Sequence, residues 1–393
     1  MALFQYYTPT KVVFGQGAEA QTGALISDFG GKKVLIHYGS GSVIRSGLLN
    51  RVIASLDAAE VSHVELGGVV PNPRVSLVYK GIELAKQENV DFILAVGGGS
   101  VIDSSKAIAY GVYYNGDVWD LFSGTGTASA CLPVGVVLTL AATGSEMSNS
   151  TALSNEQLGL KRGYNNDISR PKFAVMNPEL LITLPEYQTF AGCADIMMHT
   201  MERYLNGCST NMEMTDTIAE GLIRTVMKNA LVLKNEPDNY QARAEIMWAG
   251  SLSHSGLTGF GTDGGDWMPH KLSHEIGSMF DKTHGAILTA LWGSWARHAA
   301  PSNYGRFAKF ARQVMDISGH DEKETALLGI EAMVEFFRSI GMPVTLKELG
   351  IEPTPEQMRQ MARLCASGVG GQGGSICRLT EEDMYDIYMN ALG

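Results

Sequence analysis

The 393-residue sequence predicts two domains of different fold class: an α/β domain with a parallel sheet, followed by an all-α domain. Two domains are expected because a single hydrophobic core stops growing near roughly 250–300 residues. The first half alternates strand-like runs with helical patterns, which is typical of a parallel, doubly wound sheet. From about Pro185 helical periodicity dominates, so we expect domains at 1–185 and 186–393.

The strands and helices are predicted in chain order. Residues 90–96 (VDFILAV) and 132–140 (LPVGVVLTL) are nearly continuous apolar runs, as expected of parallel strands buried on both faces. Strands are also predicted at 33–38 and 61–66, followed by helices that end near Leu56 and Asn89. In the second half, helical periodicity covers 194–205, 214–233, 242–255 and 322–340.

Composition and charge exclude several classes of protein. The formal net charge of −11 argues against nucleic acid or an anionic membrane as a partner. No apolar run approaches the ~20 residues that span a bilayer, and the N-terminal sequence lacks the pattern of a signal peptide. The five cysteines are scattered without a CxxC pair, which suits a reducing compartment. We therefore expect a cytoplasmic protein that binds neither nucleic acid nor membrane.

Two glycine-rich loops follow predicted strands. Gly97-Gly98-Gly99-Ser100 leads from a strand into a helical pattern, and its small residues let backbone amides approach a phosphate closely. We expect Ser100 to cap this helix. The spacing nearly matches the dinucleotide-binding fingerprint, but Asp103 stands where that motif has its third glycine. The loop Gly39-Ser40-Gly41-Ser42 has the same strand–turn–helix context, although an ordinary turn explains it equally well.

Histidines are concentrated in one part of the chain, with five of the nine between positions 199 and 284. Asp195 and His199 are spaced i, i+4, which puts them on one face of a predicted helix. His270 and His274 repeat this spacing, and His284 follows a turn-like segment. Three imidazoles and one carboxylate suit Fe²⁺ or Zn²⁺. Spacing alone leaves open which of His270 and His274 is a ligand. Any one of these histidines, taken singly, is better explained as an ordinary core or surface residue.

Taken together, these motifs resemble those of the iron-dependent (group III) alcohol dehydrogenases. The shared features follow the family's order and spacing over essentially the whole chain: Gly97-Gly98-Gly99-Ser100, Thr143-Gly144-Ser145-Glu146, Asp195-xxx-His199, and His270-xxx-His274 with His284. Two further motifs resemble those of one branch of this family, the NADPH-dependent butanol dehydrogenases and broad-range aldehyde reductases. They are Tyr38-Gly39-Ser40-Gly41-Ser42 and Pro71-Asn72-Pro73. The resemblance implies a dehydroquinate synthase-like fold with a dinucleotide-binding domain and a metal-binding domain.

The resemblance also implies roles for individual residues. Four of them match the family's metal ligands: Asp195, His199, His270 and His284. His274 matches a non-ligand histidine near the nicotinamide, with a catalytic role in a proton path. The residues assigned to the cofactor site are Gly39, Ser40, Ser42, Asn72, Gly97, Gly98, Gly99, Ser100, Asp103, Thr139, Thr143 and Lys161.

The loop after the first strand predicts a preference for NADP(H), with NAD(H) as the alternative. NAD-preferring proteins of such folds place a carboxylate there to bind the ribose 2′-hydroxyl. The loop 39–42 is small and uncharged, so it does not repel a 2′-phosphate, and Arg45 follows it.

The expected activity is hydride transfer between the nicotinamide and small primary alcohols or aldehydes, with the metal polarising the substrate oxygen. The resemblance implies a homodimer. Alternatives are a glycerol-dehydrogenase-like polyol dehydrogenase and a dehydroquinate-synthase-like lyase. The lyase needs a basic cluster for a phosphorylated acidic substrate, but only Lys271 and Lys282 are basic around 248–284. A non-enzymatic metal-binding role does not explain why glycine loops and metal ligands occur together.

Overall fold

The computed structural model describes residues 3–208 and 212–393. These residues form two compact units. One unit spans Tyr7–Leu184, and the other consists of Pro185–Gly393 together with the N-terminal segment that ends at Tyr6. The predicted domain limits, 1–185 and 186–393, stay a prediction.

The Tyr7–Leu184 unit is an α/β unit. Its strands are β1 Lys11–Phe14, β2 Lys33–Gly39, β3 Ser62–Val69, β4 Phe92–Gly97, β5 Val134–Leu138, β6 Ser150–Asn155, β7 Leu160–Asn165 and β8 Phe173–Met176. Its helices are α1 Thr22–Asp28, α2 Ser42–Arg45, α3 Leu48–Ala58, α4 Val75–Gln87, α5 Gly99–Tyr113 and α6 Trp119–Ser123, with 3₁₀ turns at Ala18–Gln21, Asp167–Ser169 and Pro178–Leu181. Six strands form one parallel sheet in the order β1-β8-β5-β4-β2-β3, and β6 pairs with β7 as an antiparallel hairpin.

An apolar core covers each face of the parallel sheet. Successive side chains of a strand point to opposite faces, so Leu35 and Ile93 enter one core while Ile36 and Leu94 enter the other. Helices α4 and α5 pack on the first face, and α1 and α3 pack on the second. Burial on both faces is the reason that β4 is apolar along its whole length.

The sheet has a topological switch point between β2 and β4. The chain passes from β2 to β3 on one side and then returns to add β4 on the other side of β2. In open α/β sheets, ligands bind beyond the carboxyl ends of the strands at such a point. The strands end there at Gly39 and Gly97, one residue beyond the paired Tyr38 and Val96. Both predicted glycine loops therefore start at the same edge of the sheet.

The second unit is helical, as predicted. Its helices are α7 Glu186–Tyr204, α8 Glu213–Asn235, α9 Tyr240–His254, α10 Met268–Phe280, α11 His284–Ala299, α12 Tyr304–Val314, α13 Glu322–Ser339, α14 Pro355–Gly368 and α15 Glu381–Asn390, with a 3₁₀ turn at Ala300–Ser302. Helix α7 is buried on all sides from Thr189 to Tyr204, and α11 is buried continuously from Gly285 to Ala296. Helices buried on every side lie in the core of a larger unit, so these two form the centre of the helical unit.

Three local features differ from the sequence expectations. Ser100 does not cap α5, because the helix begins at Gly99 and its N-cap is Gly98. The predicted helix that ends near Leu56 is broken at Gly47, whose φ of 71° lies in the left-handed region. The β6–β7 hairpin and β8 were missed, since the hairpin has inward polar residues and β8 is only four residues long. No helix in the described ranges combines the length and apolar character needed to cross a membrane.

Candidate functional site

Three helices of the helical unit bring the predicted metal ligands together. Asp195 and His199 lie one turn apart on the buried helix α7. His270 lies in the first turn of α10, and His284 is the first residue of α11. The short link between these two helices turns sharply at Asp281, whose φ of 48° lies in the left-handed region. Residues distant in sequence thus meet at one place.

One carboxylate oxygen is the centre of this cluster. Oδ1 of Asp195 lies 3.9 Å from Nε2 of His199, 3.6 Å from Nε2 of His270 and 3.6 Å from Nε2 of His284. Asp195, His199 and His270 offer ligand atoms within 4.8 Å of one another and are all buried. The His284 side chain is 23% exposed, so this is the open side of the cluster.

Two ligand-candidate atoms of the cluster lack the hydrogen bonds that buried polar groups normally make. Oδ1 of Asp195 and Nε2 of His270, which face each other at 3.6 Å, are buried without a hydrogen-bond partner among the described residues. Such groups are costly unless they are paired or coordinate a metal. Imidazole nitrogens with a carboxylate are a donor set that suits Fe²⁺ or Zn²⁺. The residues present therefore fit a divalent metal ion.

The orientation of the His270 ring is set by Glu202, which the sequence analysis missed. Nδ1 of His270 donates a hydrogen bond of 2.6 Å to Oε1 of Glu202, a fully buried carboxylate on α7. Hydrogen bonding of one ring nitrogen to a carboxylate fixes the tautomer and frees the other nitrogen for a metal. A glutamate three residues after His199 in a helix has no distinctive pattern, and only its burial marks it.

The pKa values of two ligand candidates are shifted in opposite directions. Burial lowers the pKa of His199 well below its usual value, and the neighbouring His254 and His270 act in the same direction. Burial also lowers the pKa of His270, but the carboxylates of Glu202 and Asp195 outweigh it and raise that pKa to about 9. His199 is therefore a neutral imidazole at physiological pH, the form that binds metal, whereas His270 would release a proton when it binds one.

His254 and Trp267 also lie at this cluster, and neither was predicted. The ring of His254, the last residue of α9, stacks on His199 at a centroid distance of 4.3 Å. The indole of Trp267 meets His270 edge-on at 5.5 Å, and the guanidinium of Arg203 lies over it at 4.6 Å. Trp267 has a φ of 60°, unusual for a bulky residue, at the start of α10. These rings form an aromatic wall beside the candidate ligands.

His274 lies one turn after His270 on α10. The group of converging ligand atoms consists of Asp195, His199 and His270, and His284 joins it through the 3.6 Å contact of its Nε2 with Asp195. The ring centroid of His274 is 6.1 Å from that of His284, compared with 5.1 Å between His270 and His284. The i, i+4 spacing therefore puts it beside the cluster.

A glycine allows the approach of α11 to α7. A Cβ atom added to Gly285 would lie 2.0 Å from the carbonyl oxygen of Ala191. No side chain fits at that distance, so the backbone of α11 passes directly against α7. Because Gly285 follows His284, this contact also sets the distance between His284 and Asp195.

The α/β unit holds the second group of predicted residues, at the carboxyl end of β4. A Cβ atom added to Gly98 would lie 2.9 Å from Cβ of Leu140, and one added to Gly99 would lie 2.3 Å from Oγ1 of Thr143. The amide of Thr139 donates to the carbonyl of Gly97 at 3.1 Å. The glycines thus let the start of α5 pack closely on the loop after β5.

The first-turn amides of α5 have no side-chain cap, because Gly98 is the N-cap residue. Uncapped amides and the helix dipole make such a helix start suitable for an anionic phosphate. Ser100 lies within this first turn and is partly exposed. The predicted phosphate loop Gly97–Ser100 thus leads into a helix start without a side-chain cap.

The remaining predicted cofactor residues lie in three places. Nζ of Lys161 donates to Oδ1 of Asn72 at 2.9 Å, which brings two of them together. Asp103 uses both carboxylate oxygens inside the protein, on the Ser145 hydroxyl at 2.6 Å and the Ala152 amide at 3.0 Å. In the loop after β2, Ser40 and Ser42 are exposed on either side of Gly41.

Comparison with known proteins gives consistent matches over both units. The family model described as iron-containing alcohol dehydrogenase matches residues 9–178, and the model of the C-terminal part of the Fe-containing alcohol dehydrogenase family matches residues 189–392. NADH-dependent butanol dehydrogenase A of Clostridium acetobutylicum is 40% identical over 392 residues, which is 99% of each chain. The NADPH-dependent aldehyde reductase YqhD of Escherichia coli is 34% identical over 356 residues, or 89% of each chain.

A solved structure matches the fold along the whole chain. The crystal structure of NADH-dependent butanol dehydrogenase A from Thermotoga maritima superimposes with a TM-score of 0.96 at 36% sequence identity. The match covers 100% of this chain and 99% of the other.

Proposed function

The chain belongs to the iron-containing alcohol dehydrogenase family, and on this premise we propose that it reduces small aldehydes to primary alcohols, and runs the reverse oxidation, with a nicotinamide cofactor and a divalent metal. The family resemblance stated from the sequence motifs is confirmed. The observation that carries the proposed activity is the buried Asp195 oxygen encircled by three imidazole nitrogens.

Asp195, His199, His270 and His284 are the proposed ligands of the metal. Support comes from the convergence of their ligand atoms and from the buried atoms of Asp195 and His270 that lack hydrogen-bond partners. When bound, a divalent metal supplies a Lewis acid that polarises the carbonyl oxygen of the substrate. The substrate oxygen would approach from the His284 side, which is the partly exposed side of the cluster. Glu202 keeps the His270 ring in the orientation that binding requires.

His274 is proposed to carry the proton that the reduced product needs. Its position beside the ligands, one turn beyond His270, keeps an imidazole near the reacting oxygen without using it as a ligand. Histidine suits this role because its usual pKa lies near physiological pH.

The start of α5 and the loops around it are proposed to bind the cofactor. Gly97–Ser100 would hold the pyrophosphate through backbone amides, and Thr139 and Thr143 would form the adjoining wall. Lys161 and Asn72, which are hydrogen-bonded to each other, would contact the ribose. A bound reduced nicotinamide supplies the hydride, and this unit's part is to hold it.

A preference for NADP(H) over NAD(H) is proposed from the loop after β2. This loop carries no carboxylate, and its serine hydroxyls are exposed. A Cβ atom added to Gly41 would lie 2.8 Å from Nη1 of Arg45, so the guanidinium lies over the loop. An arginine at this place accommodates a 2′-phosphate. The names of the relatives include both NADH and NADPH. A kcat/KM with NADH that equals or exceeds the kcat/KM with NADPH would reject the preference.

Four further properties are part of the proposal. The substrate is a small, weakly polar aldehyde, because the ligands lie beside Trp267 and few basic residues are near them in sequence. The native metal is Fe²⁺ or Zn²⁺, whose donor preferences both match. By family resemblance the protein is a homodimer, and it acts in the cytoplasm.

The test is NADPH oxidation with butanal before and after chelation, with metal content measured in parallel. Activity should fall with metal content and return on addition of Fe²⁺ or Zn²⁺ to the stripped protein. Full activity in a preparation shown to be free of metal would reject the metal-dependent mechanism. Activity with a phosphorylated acid but none with butanal would reject the substrate class.

A further inference from the structure

A lysine outside the predicted sites is fully buried inside the α/β unit. Lys106 lies on α5, two turns beyond the glycine loop, with no exposed surface. Its Nζ is 2.8 Å from the Ser145 carbonyl, 2.9 Å from the Ser145 hydroxyl, and 2.9 Å from the carbonyls of Ser148 and Ser150. Four oxygens from one short segment thus surround the ammonium group.

Asp103, one turn earlier on the same helix, contacts the same segment. Its carboxylate accepts from the Ser145 hydroxyl at 2.6 Å and from the amide of Ala152 at 3.0 Å. The Ser145 hydroxyl therefore lies between Lys106 and Asp103, in contact with both. The segment 145–152 is held to α5 at both ends by charged side chains.

This segment is continuous with the loop that touches the phosphate-binding glycines. The Ser145 amide donates to Oγ1 of Thr143 at 3.3 Å, and an atom added to Gly99 would lie 2.3 Å from that same oxygen. The position of Thr143 against the start of α5 therefore depends on how the following residues are anchored.

We propose that Lys106 is a positioning residue that holds the Thr143 loop against the start of α5 and so sets the shape of the dinucleotide pocket. The inference rests on the proposed cofactor site. Burying a cation carries a desolvation penalty, and a protein with an apolar side chain of similar volume at such a place is often equally or more stable. Only a multiple hydrogen-bond donor can hold several carbonyls that point to one place.

The charge on Lys106 supplies a readout that mere packing would not. Burial lowers the pKa of Lys106 to about 8, against the opposing effect of Asp103 and Glu146 and with a further lowering by Arg170. The neutral amine has two N–H donors for four oxygens, whereas the ammonium has three. Cofactor affinity should therefore weaken as the pH rises through about 8, and this dependence should require Lys106.

The experiment measures the Kd for NADPH by fluorescence titration of the full-length protein from pH 7 to 9. For Lys106→Met we expect a Kd about tenfold higher at pH 7, which corresponds to the loss of one or two hydrogen bonds. The pH dependence seen in the wild type should disappear. The exposed Lys86→Met on α4 is the matched control and should behave like the wild type.

Circular dichroism establishes that each variant is folded. If Lys106→Met does not fold, Ser145→Ala decides, since it removes only the hydroxyl between Lys106 and Asp103 and should raise the Kd by a smaller factor. If Lys106→Met folds and keeps the wild-type Kd and pH dependence, the role of Lys106 is overturned but the proposed function is not. If Lys106→Met does not fold, an unchanged Kd in Ser145→Ala overturns that role in the same way. A wild-type protein that binds neither NADPH nor NADH overturns the proposed function as well.

Discussion

His270 and Glu202 are joined by a buried hydrogen bond of 2.6 Å between Nδ1 of the imidazole and Oε1 of the carboxylate. Glu202 has no exposed surface, so no water offsets the desolvation of its charge. The contact keeps the proton on Nδ1 and leaves Nε2 directed at Asp195, 3.6 Å away. Two helices, α7 and α10, are thereby linked at the point where a metal would be held.

Replacing Glu202 by Gln should weaken metal binding without removing a ligand. The amide can still accept a hydrogen bond from His270 but lacks the charge that makes the imidazole a stronger ligand. Loss of such a partner costs about 10- to 100-fold in metal affinity. Affinity is measured by competition with a chromogenic chelator. The exposed Glu186→Gln on the same helix is the control, and equal affinity in both variants would contradict the role of Glu202.

His284 and His274 should respond differently to substitution by Ala. His284→Ala removes a proposed ligand, so the purified protein should lose both its metal and its activity. His274→Ala should keep its metal and lose activity by roughly 10²- to 10⁴-fold, the usual contribution of general acid–base catalysis. Metal content and kcat are measured on the same samples, with the exposed His320→Ala as control. Metal loss in His274→Ala alone would reverse the two assignments.

Periodic patterns made most of the fold predictable. The short apolar run at β4 predicted a strand between two helical layers, and every residue of β4 is buried. The i, i+4 pair of Asp195 and His199 could be placed on one helix face because the periodicity around it is regular. Glycine loops after strands likewise predicted where the sheet would meet a ligand.

Contacts across the fold were not predictable from such local patterns. Glu202 looks like any helical glutamate, and only tertiary burial distinguishes it. Lys106 reads as a surface lysine because its four partners come from a segment about 40 residues later. Ser100 was expected to cap α5, but the helix starts two residues earlier, since Gly99 can pack where any Cβ would strike Thr143.

Gly285→Ala should damage the metal site from outside the ligand set. The added Cβ would lie 2.0 Å from the Ala191 carbonyl, so α11 must move away from α7 and carry His284 with it. Overpacking of this kind costs about 1–3 kcal/mol of stability, and we expect metal affinity to fall as well. Urea unfolding and chelator competition measure the two effects.

Gly221→Ala on α8 is the matched control for this substitution. A Cβ atom at Gly221 meets nothing within 4 Å, so alanine there should stabilise the helix by about 0.5–1 kcal/mol and leave metal affinity unchanged. If Gly285→Ala bound metal as tightly as Gly221→Ala, the close contact of the two helices would have no part in placing His284.

His37 should make the stability of the protein depend on pH. Its ring is fully buried on β2, where Nδ1 donates to the Leu66 carbonyl at 2.7 Å and Nε2 accepts from the Ser104 hydroxyl at 2.8 Å. Burial lowers its pKa from 6.5 to about 4, against the raising effect of the bond to Leu66. The unfolded chain therefore binds one more proton than the folded protein between these pH values.

Stability should consequently fall as the pH drops from about 6.5 towards 4, because unfolding takes up a proton in that window. The lowering of the pKa from 6.5 to about 4 corresponds to up to about 3 kcal/mol of stability. Urea unfolding at pH 7 and pH 5 measures the loss, on protein stripped of metal so that metal release does not contribute. His37→Gln can donate to Leu66 and accept from Ser104 without titrating, so its stability should change less between the two pH values. The control is His63→Gln on β3, which should lose as much stability as the wild type. If His37→Gln also loses as much as the wild type, the buried imidazole does not titrate in this way.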